Sequence, residues 1–284
     1  MAYNLLKGKK GIIFGALNDL SIAWKVAERA VEEGAEIILS NTAMSIRMGD
    51  LNALAEKLNC KVIACDASSV EDLENLFKES MEHFGGQIDF ILHSIGMSVN
   101  VRKKRPYDDL NYEYMKKTLD VSAISFHKLL QTARKLDAIR DWGSVVALSY
   151  IAAQRTFYGY NEMADAKSML ESIARSFGYI YGRDKKIRIN TISQSPTITT
   201  AGQGIKGFMD LLDFSERMSP LGNATAEDCA NYCIVMFSDL TKKVTMQNLF
   251  NDGGFSNVGM SWRAMNVYST SLDDMKHNMD KIVD

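Results

Sequence analysis

Short, β-branched apolar runs alternate with longer amphipathic stretches along most of the chain, and no other feature limits its fold so tightly. Residues 11–14, 35–39, 61–65, 88–92, 143–149, 187–192 and 247–250 read as strands. Residues 22–33, 51–58, 70–83, 112–136, 160–181 and 226–238 read as helices between them. Strands joined through helices pair in parallel, and right-handed crossovers place those helices outside the sheet. The expected architecture is α/β, a doubly wound seven-stranded parallel sheet within three layers, α/β/α.

With 284 residues, 46% hydrophobic content, three prolines and no low-complexity segment, residues 1–284 are expected to form a single domain. Residues 199–220 break the rhythm with Gly202, Gly204, Gly207 and an amphipathic stretch, and read as a mobile lid or as an ordinary surface helix. The tail, residues 266–284, carries no specific signal. A formal charge of -2 offers no field for a nucleic-acid backbone or an anionic membrane. Residues 1–10 lack the start of a signal peptide, and no stretch approaches the roughly eighteen apolar residues of a membrane span. The cytoplasm is the expected location. Cys60, Cys65, Cys229 and Cys233, with the scattered His83, His93, His127 and His277, have no metal-site spacing, so no metal is expected. Cys229 and Cys233 read as helix packing.

Ligands of open parallel sheets lie beyond the carboxyl ends of the strands. In the turn from the first strand to the first helix, Gly15 permits close backbone approach to a pyrophosphate. The amides near Ser21 and Ile22 lie where a helix start favours negative oxygens. The turn is not GxGxxG, and a purely structural turn is an equal reading. The second strand ends Leu39-Ser40-Asn41-Thr42, with no basic residue before Arg47, which favours NADH over NADPH beside Thr42. In Cys65-Asp66-Ala67, Asp66 suits an adenine amino group or a helix cap. Ser94-Ile95-Gly96 ends the fourth strand with a small residue under which a cofactor passes. The sheet is thus expected to be Rossmann-type.

The most informative stretch runs from Ser144 to Lys167 and joins the fifth strand to the next helix. If residues 160–167 are helical, seven steps advance about 700°, so Tyr160 and Lys167 share a face with Met163 between them. A phenol and an ammonium then converge on one pocket. Tyr158 has no such partner nine residues on.

The Tyr-x6-Lys spacing of Tyr160 and Lys167 differs from the Tyr-x3-Lys general among short-chain dehydrogenases, where the second position here is Ala164. Together with Leu148-Ser149-Tyr150, Ser21-Ile22-Ala23, Ser94-Ile95-Gly96, Ser195-Pro196-Thr197 and Asp252-Gly253-Gly254-Phe255, it resembles the enoyl-acyl-carrier-protein reductase branch of that superfamily over about residues 5–260. The resemblance implies NADH-dependent reduction of a trans-2-enoyl thioester carried on acyl-carrier protein, in fatty-acid elongation, by a homotetramer. It implies Tyr160 as the donor to the developing enolate, Lys167 on the nicotinamide ribose, and Tyr150 near the thioester. It further implies Pro196, Thr197 and Thr199 at the nicotinamide, and Ser98, Met163, Ile205, Phe208 and Leu211 around the acyl chain. As apolar helix residues, the last four are equally readable as core.

The chain also departs from the branch. Ser195 stands where some relatives have glycine, and only Lys206 remains of a basic lid cluster. Arg102-Lys103-Lys104-Arg105, on the same rim, would attract an acidic partner or be a solvated loop. Two other functions stay open: a dehydrogenase reducing a ketone or ketoacyl thioester, which the spacing disfavours, and an NAD-binding protein without turnover, which retention of Tyr160 and Lys167 disfavours.

Overall fold

Ile12 and Phe14 enter one hydrophobic core while Ile13, between them, enters another. Successive side chains of a strand point to opposite faces, so two cores mean a sheet covered on both sides. The computed structural model describes residues 2–203 and 207–283, and of residues 201, 203 and 274–283 it describes the main chain alone.

The strands are β1 (Lys10–Phe14), β2 (Glu36–Asn41), β3 (Lys61–Ala64), β4 (Ile88–His93), β5 (Ile139–Ser149), β6 (Arg188–Gln194) and β7 (Asn248–Asn251). They lie in the order β3-β2-β1-β4-β5-β6-β7, every neighbouring pair parallel. The helices are α1 (Ile22–Glu32), α2 (Ala43–Met48), α3 (Leu51–Leu58), α4 (Val70–Phe84), α5 (Val99–Arg102), α6 (Tyr112–Leu119) and α7 (Ser125–Lys135). They continue with α8 (Glu162–Lys185), α9 (Thr200–Gln203), α10 (Phe208–Met218), α11 (Ala226–Phe237) and α12 (Trp262–Val283). The fold is the expected Rossmann-type α/β sandwich. Reversal of strand order between β1 and β4 leaves a crevice at the carboxyl ends, where such sheets take ligands.

One face of the sheet buries Phe77 of α4, Phe126 of α7 and Leu170 of α8; the other buries Val26 of α1, Leu51 of α3 and Phe237 of α11. Phe237 stacks on Phe90 of β4 with ring centroids 4.6 Å apart. Each such side chain contributes roughly 2 kcal/mol on leaving water. Cys229 and Cys233 are buried in the second core. Local chemistry sets the ends: Ser69 accepts from the Asp72 amide at the start of α4, Gly85 takes a left-handed φ of 63° after it, and Thr225 and Asp228 form a reciprocal cap on α11.

Several boundaries differ from expectation. α2 was not anticipated, because its six residues bury nothing and leave no apolar period. The expected helix over 112–136 is interrupted by a π-helical turn, Asp120–Ile124. β5 starts at Ile139 rather than 143, its exposed Arg140, Asp141 and Trp142 hiding the strand pattern. The helix expected from 160 starts at Glu162. Residues 199–220 carry α9 and α10, while Ile205 and Lys206 lie outside the described residues. The tail continues α12. Among the described residues, no helix is long and apolar enough to cross a membrane, and no cluster of three or more His, Cys, Asp or Glu could hold a metal ion.

Candidate active site

A cavity of about 460 Å³ runs along the carboxyl ends of the strands from β3 to β6. At its β1 end, Gly15 has a φ of +96°, and a Cβ there would lie 2.0 Å from the Ser94 carbonyl oxygen. The β1 turn thus needs glycine to pack against β4, whatever it also does for a ligand. The Ser21 hydroxyl accepts from the amides of Leu17 and Asn18, at 3.1 and 3.2 Å, and does not cap α1. Ser21 and Ile22 thus bring the start of α1, whose first-turn amides have no intrahelical acceptors, to the cavity wall, a position that suits a phosphate.

At the carboxyl end of β2, the Thr42 hydroxyl accepts from the Ser45 amide at 3.2 Å, and Asn41 donates to the Ala16 carbonyl at 2.9 Å. β2 thus ends in neutral side chains, and among the described residues that line this part of the cavity none is a cation. Asp66 and Ala67 line the same end. Asp66 accepts from both the amide and hydroxyl of Ser68, at 2.9 and 2.7 Å. It is not the cap of α4, a role taken by Ser69.

At the other end stand Tyr150, Tyr160, Met163 and Lys167. Tyr160 and Lys167 do not share one helix face as expected. Tyr160 precedes α8, and between them Asn161 has φ 49° and ψ −141°, a conformation that breaks the helix. Tyr160 reaches the cavity from a loop, with its ring 4.9 Å from that of Tyr150 in a small cluster with Phe157 and Phe255. Asn161 is held by donation from its amide to the Arg105 carbonyl at 2.5 Å. Tyr158 is fully exposed, away from the cavity.

Lys167 lies on α8, 7% exposed, and donates to the Leu148 carbonyl at 2.8 Å. An ammonium has three donors, so two hydrogens remain for a ligand. Burial brings its pKa down from 10.5 to about 8, against the opposing pull of the Glu171 carboxylate. Burial likewise pushes the Tyr160 phenol well above 10, so it keeps its proton at neutral pH. Tyr150 is raised by burial, then by Tyr160 and Asp252, and its buried hydroxyl has no protein partner among the described residues. His93, beneath Lys167, is lowered to about 3 by burial and by that ammonium, and is neutral. Gly96 leaves this corner open: a Cβ there would come 3.2 Å from Met163 Cε and 3.8 Å from Lys167 Nζ.

Ser94, Ile95, Pro196, Thr197 and Thr199 complete the wall between these groups, while Phe208 and Leu211 of α10 close it from above. Asn18 in the first turn donates to the Thr200 hydroxyl at 2.9 Å, tying α9 to the turn after β1. Ser98 also lines the cavity, but its hydroxyl already donates to Glu162 at 2.6 Å and caps α5. Sequence reading missed two supports. Gln194 donates to the Thr197 hydroxyl and the Ala224 carbonyl, and Ser122 in the π turn bonds both the amide and carbonyl of Met97. The one available signal was polar residues in otherwise apolar runs.

The model of the Enoyl-(Acyl carrier protein) reductase family matches residues 15–256. Enoyl-[acyl-carrier-protein] reductase [NADH] FabI of Rickettsia typhi is 32% identical over 263 residues, covering 92% of this chain and 99% of that protein. A crystal structure of a FabI–NADH complex from Alistipes finegoldii superposes with a TM-score of 0.91 at 73% identity, covering 92% of this chain and 93% of that one. The Aquifex aeolicus enoyl-[acyl-carrier-protein] reductase (NADH) structure gives 0.84 at 30% identity, covering 90% and 99%.

Proposed function

The chain belongs to the enoyl-acyl-carrier-protein reductase family, and we propose that it reduces the 2,3-double bond of trans-2-enoyl-acyl-carrier-protein thioesters, using NADH, in fatty-acid elongation. The observation that carries this reading is the meeting, at one end of a dinucleotide-length cavity, of a protonated phenol from a loop and a buried ammonium from a helix.

NADH, when bound, would supply hydride to C3 of the unsaturated thioester; negative charge then gathers on the carbonyl oxygen, and a proton taken up at C2 completes the reduction. Tyr160 donates a hydrogen bond to that oxygen, worth about 3 kcal/mol for a well-placed oxyanion donor. Tyr150, whose hydroxyl has no other protein partner among the described residues, orients the thioester beside it. Lys167 holds the nicotinamide ribose through its two remaining hydrogens, and its charge favours the enolate. Ser21, Ile22 and Gly15 receive the pyrophosphate; Thr42, Asp66 and Ala67 receive the adenosine; Ser94, Ile95, Gly96, Pro196, Thr197 and Thr199 frame the nicotinamide. Met163, Phe208 and Leu211 receive the acyl chain under a lid spanning 199–220 of a single domain, and Ser98 supports that wall rather than donating to substrate. Ile205, also assigned to the acyl chain by the resemblance, falls outside the described residues.

Acyl-carrier protein is the proposed macromolecular partner, the cytoplasm the proposed location and a homotetramer the proposed assembly. The homotetramer rests on the family resemblance, and a monomer by light scattering at working concentration would refute it. The test is loss of NADH absorbance with crotonyl thioester, beside NADPH and a ketoacyl thioester. Turnover of the enoyl substrate with NADH is expected; turnover of the ketoacyl substrate alone would replace this reading with a carbonyl-reducing dehydrogenase.

A further inference from the structure

Glu171 is a buried carboxylate with no role in the chemistry above. It lies on α8 one turn beyond Lys167 and is 4% exposed. One oxygen accepts from the Ser149 hydroxyl at 2.7 Å and the other from the Gln154 side-chain amide at 3.0 Å. Those two donors bracket the segment that carries Tyr150, from the last residue of β5 to the end of the 3-10 turn Ile151–Ala153. Lys167 meanwhile grips the carbonyl of Leu148, the residue before Ser149. Successive turns of one helix thus hold the end of β5 by a cation and an anion. Leaving a buried carboxylate without donors is expensive, and here charge-assisted bonds meet both oxygens.

We propose that Glu171 is a positioning residue of the reductase site, fixing Tyr150 through Ser149 and Gln154 and sustaining the positive charge of Lys167 one turn away. The proposal rests on the roles given above to Tyr150 and Lys167. The groups facing Lys167 leave Glu171 as its counter-charge: His93 from β4 is neutral, and Tyr150 and Tyr160 keep their protons. Asp252, after β7, acts on Tyr150. Burial works against the ammonium, and Glu171 opposes it.

The experiment compares wild type, Glu171→Gln and the double variant Ser149→Ala/Gln154→Ala in the full chain, by kcat/KM for crotonyl thioester against pH and by NADH binding. Glu171→Gln removes charge while keeping shape. It should move the falling alkaline limb to lower pH by about one unit, with about a tenfold loss on that limb. The double variant frees the Tyr150 segment, so its rate should fall at every pH, below the alkaline limb as well as on it. A Glu171→Gln profile superimposed on wild type overturns the proposal. So does a double variant with wild-type rates, which decides the matter if Glu171→Gln does not fold. Failure of wild type itself to reduce crotonyl thioester would instead remove the functional reading beneath it.

Discussion

Gly15 faces the Ser94 carbonyl oxygen so closely that a Cβ would lie 2.0 Å from it. This makes the first turn of the cofactor end dependent on contact between β1 and β4. Gly15→Ala combines that clash with a φ of +96° and is expected to destabilise the fold by at least about 2 kcal/mol. Denaturant unfolding with and without NADH checks it; an unchanged midpoint in the absence of NADH would mean the glycine serves the cofactor alone.

Tyr160→Phe keeps the ring packed on Tyr150 and removes only the hydroxyl. It should bind NADH as wild type does and lose turnover by about a hundredfold or more. Full activity would take Tyr160 out of the mechanism.

The Lys167 pKa, about 8, sets an alkaline limit. On the proposed function the ammonium holds the ribose, so kcat/KM should fall as pH rises through about 8. For stability the sign is opposite. With the folded pKa below the unfolded one, the unfolded state binds more protons between about 8 and 10.5, and this group's contribution to stability rises across that window. Circular dichroism at the alkaline end separates loss of rate from loss of fold.

Glu33 is fully buried after α1 and accepts from the amides of Tyr3 and Leu5, with the Arg29 guanidinium 2.6 Å away. Burial works to raise its pKa, but the Leu5 and Tyr3 amides and Arg29 outweigh it and hold it below 4.5. Its contribution is therefore present above the unfolded value and lost as pH falls through the lower folded one. Glu33→Ala should cost about 2 kcal/mol at pH 7 and less in acid, as read by urea midpoints at both pH values.

Glu33 and Glu171 mark where the sequence was silent. A carboxylate buried by its tertiary partners looks, in one dimension, like any surface glutamate. The sheet was legible because Ile12–Phe14 or Ile37–Leu39 can hardly be anything but covered strand. The cavity wall was legible for a related reason, since ligand groups follow strand ends. The position of Tyr160 relative to α8 was not, because one residue, Asn161, takes a backbone conformation that no periodicity announces. β5 was read four residues short because its first turns of strand are wet on both sides.

That break at Asn161 puts the two halves of the site on separate elements. Lys167 lies in a 24-residue helix packed into the core, whereas Tyr160 stands on the loop between β5 and α8 within an aromatic cluster. On the proposed function, substrate range can therefore change through the loop cluster around Tyr160 without altering the helix that carries Lys167.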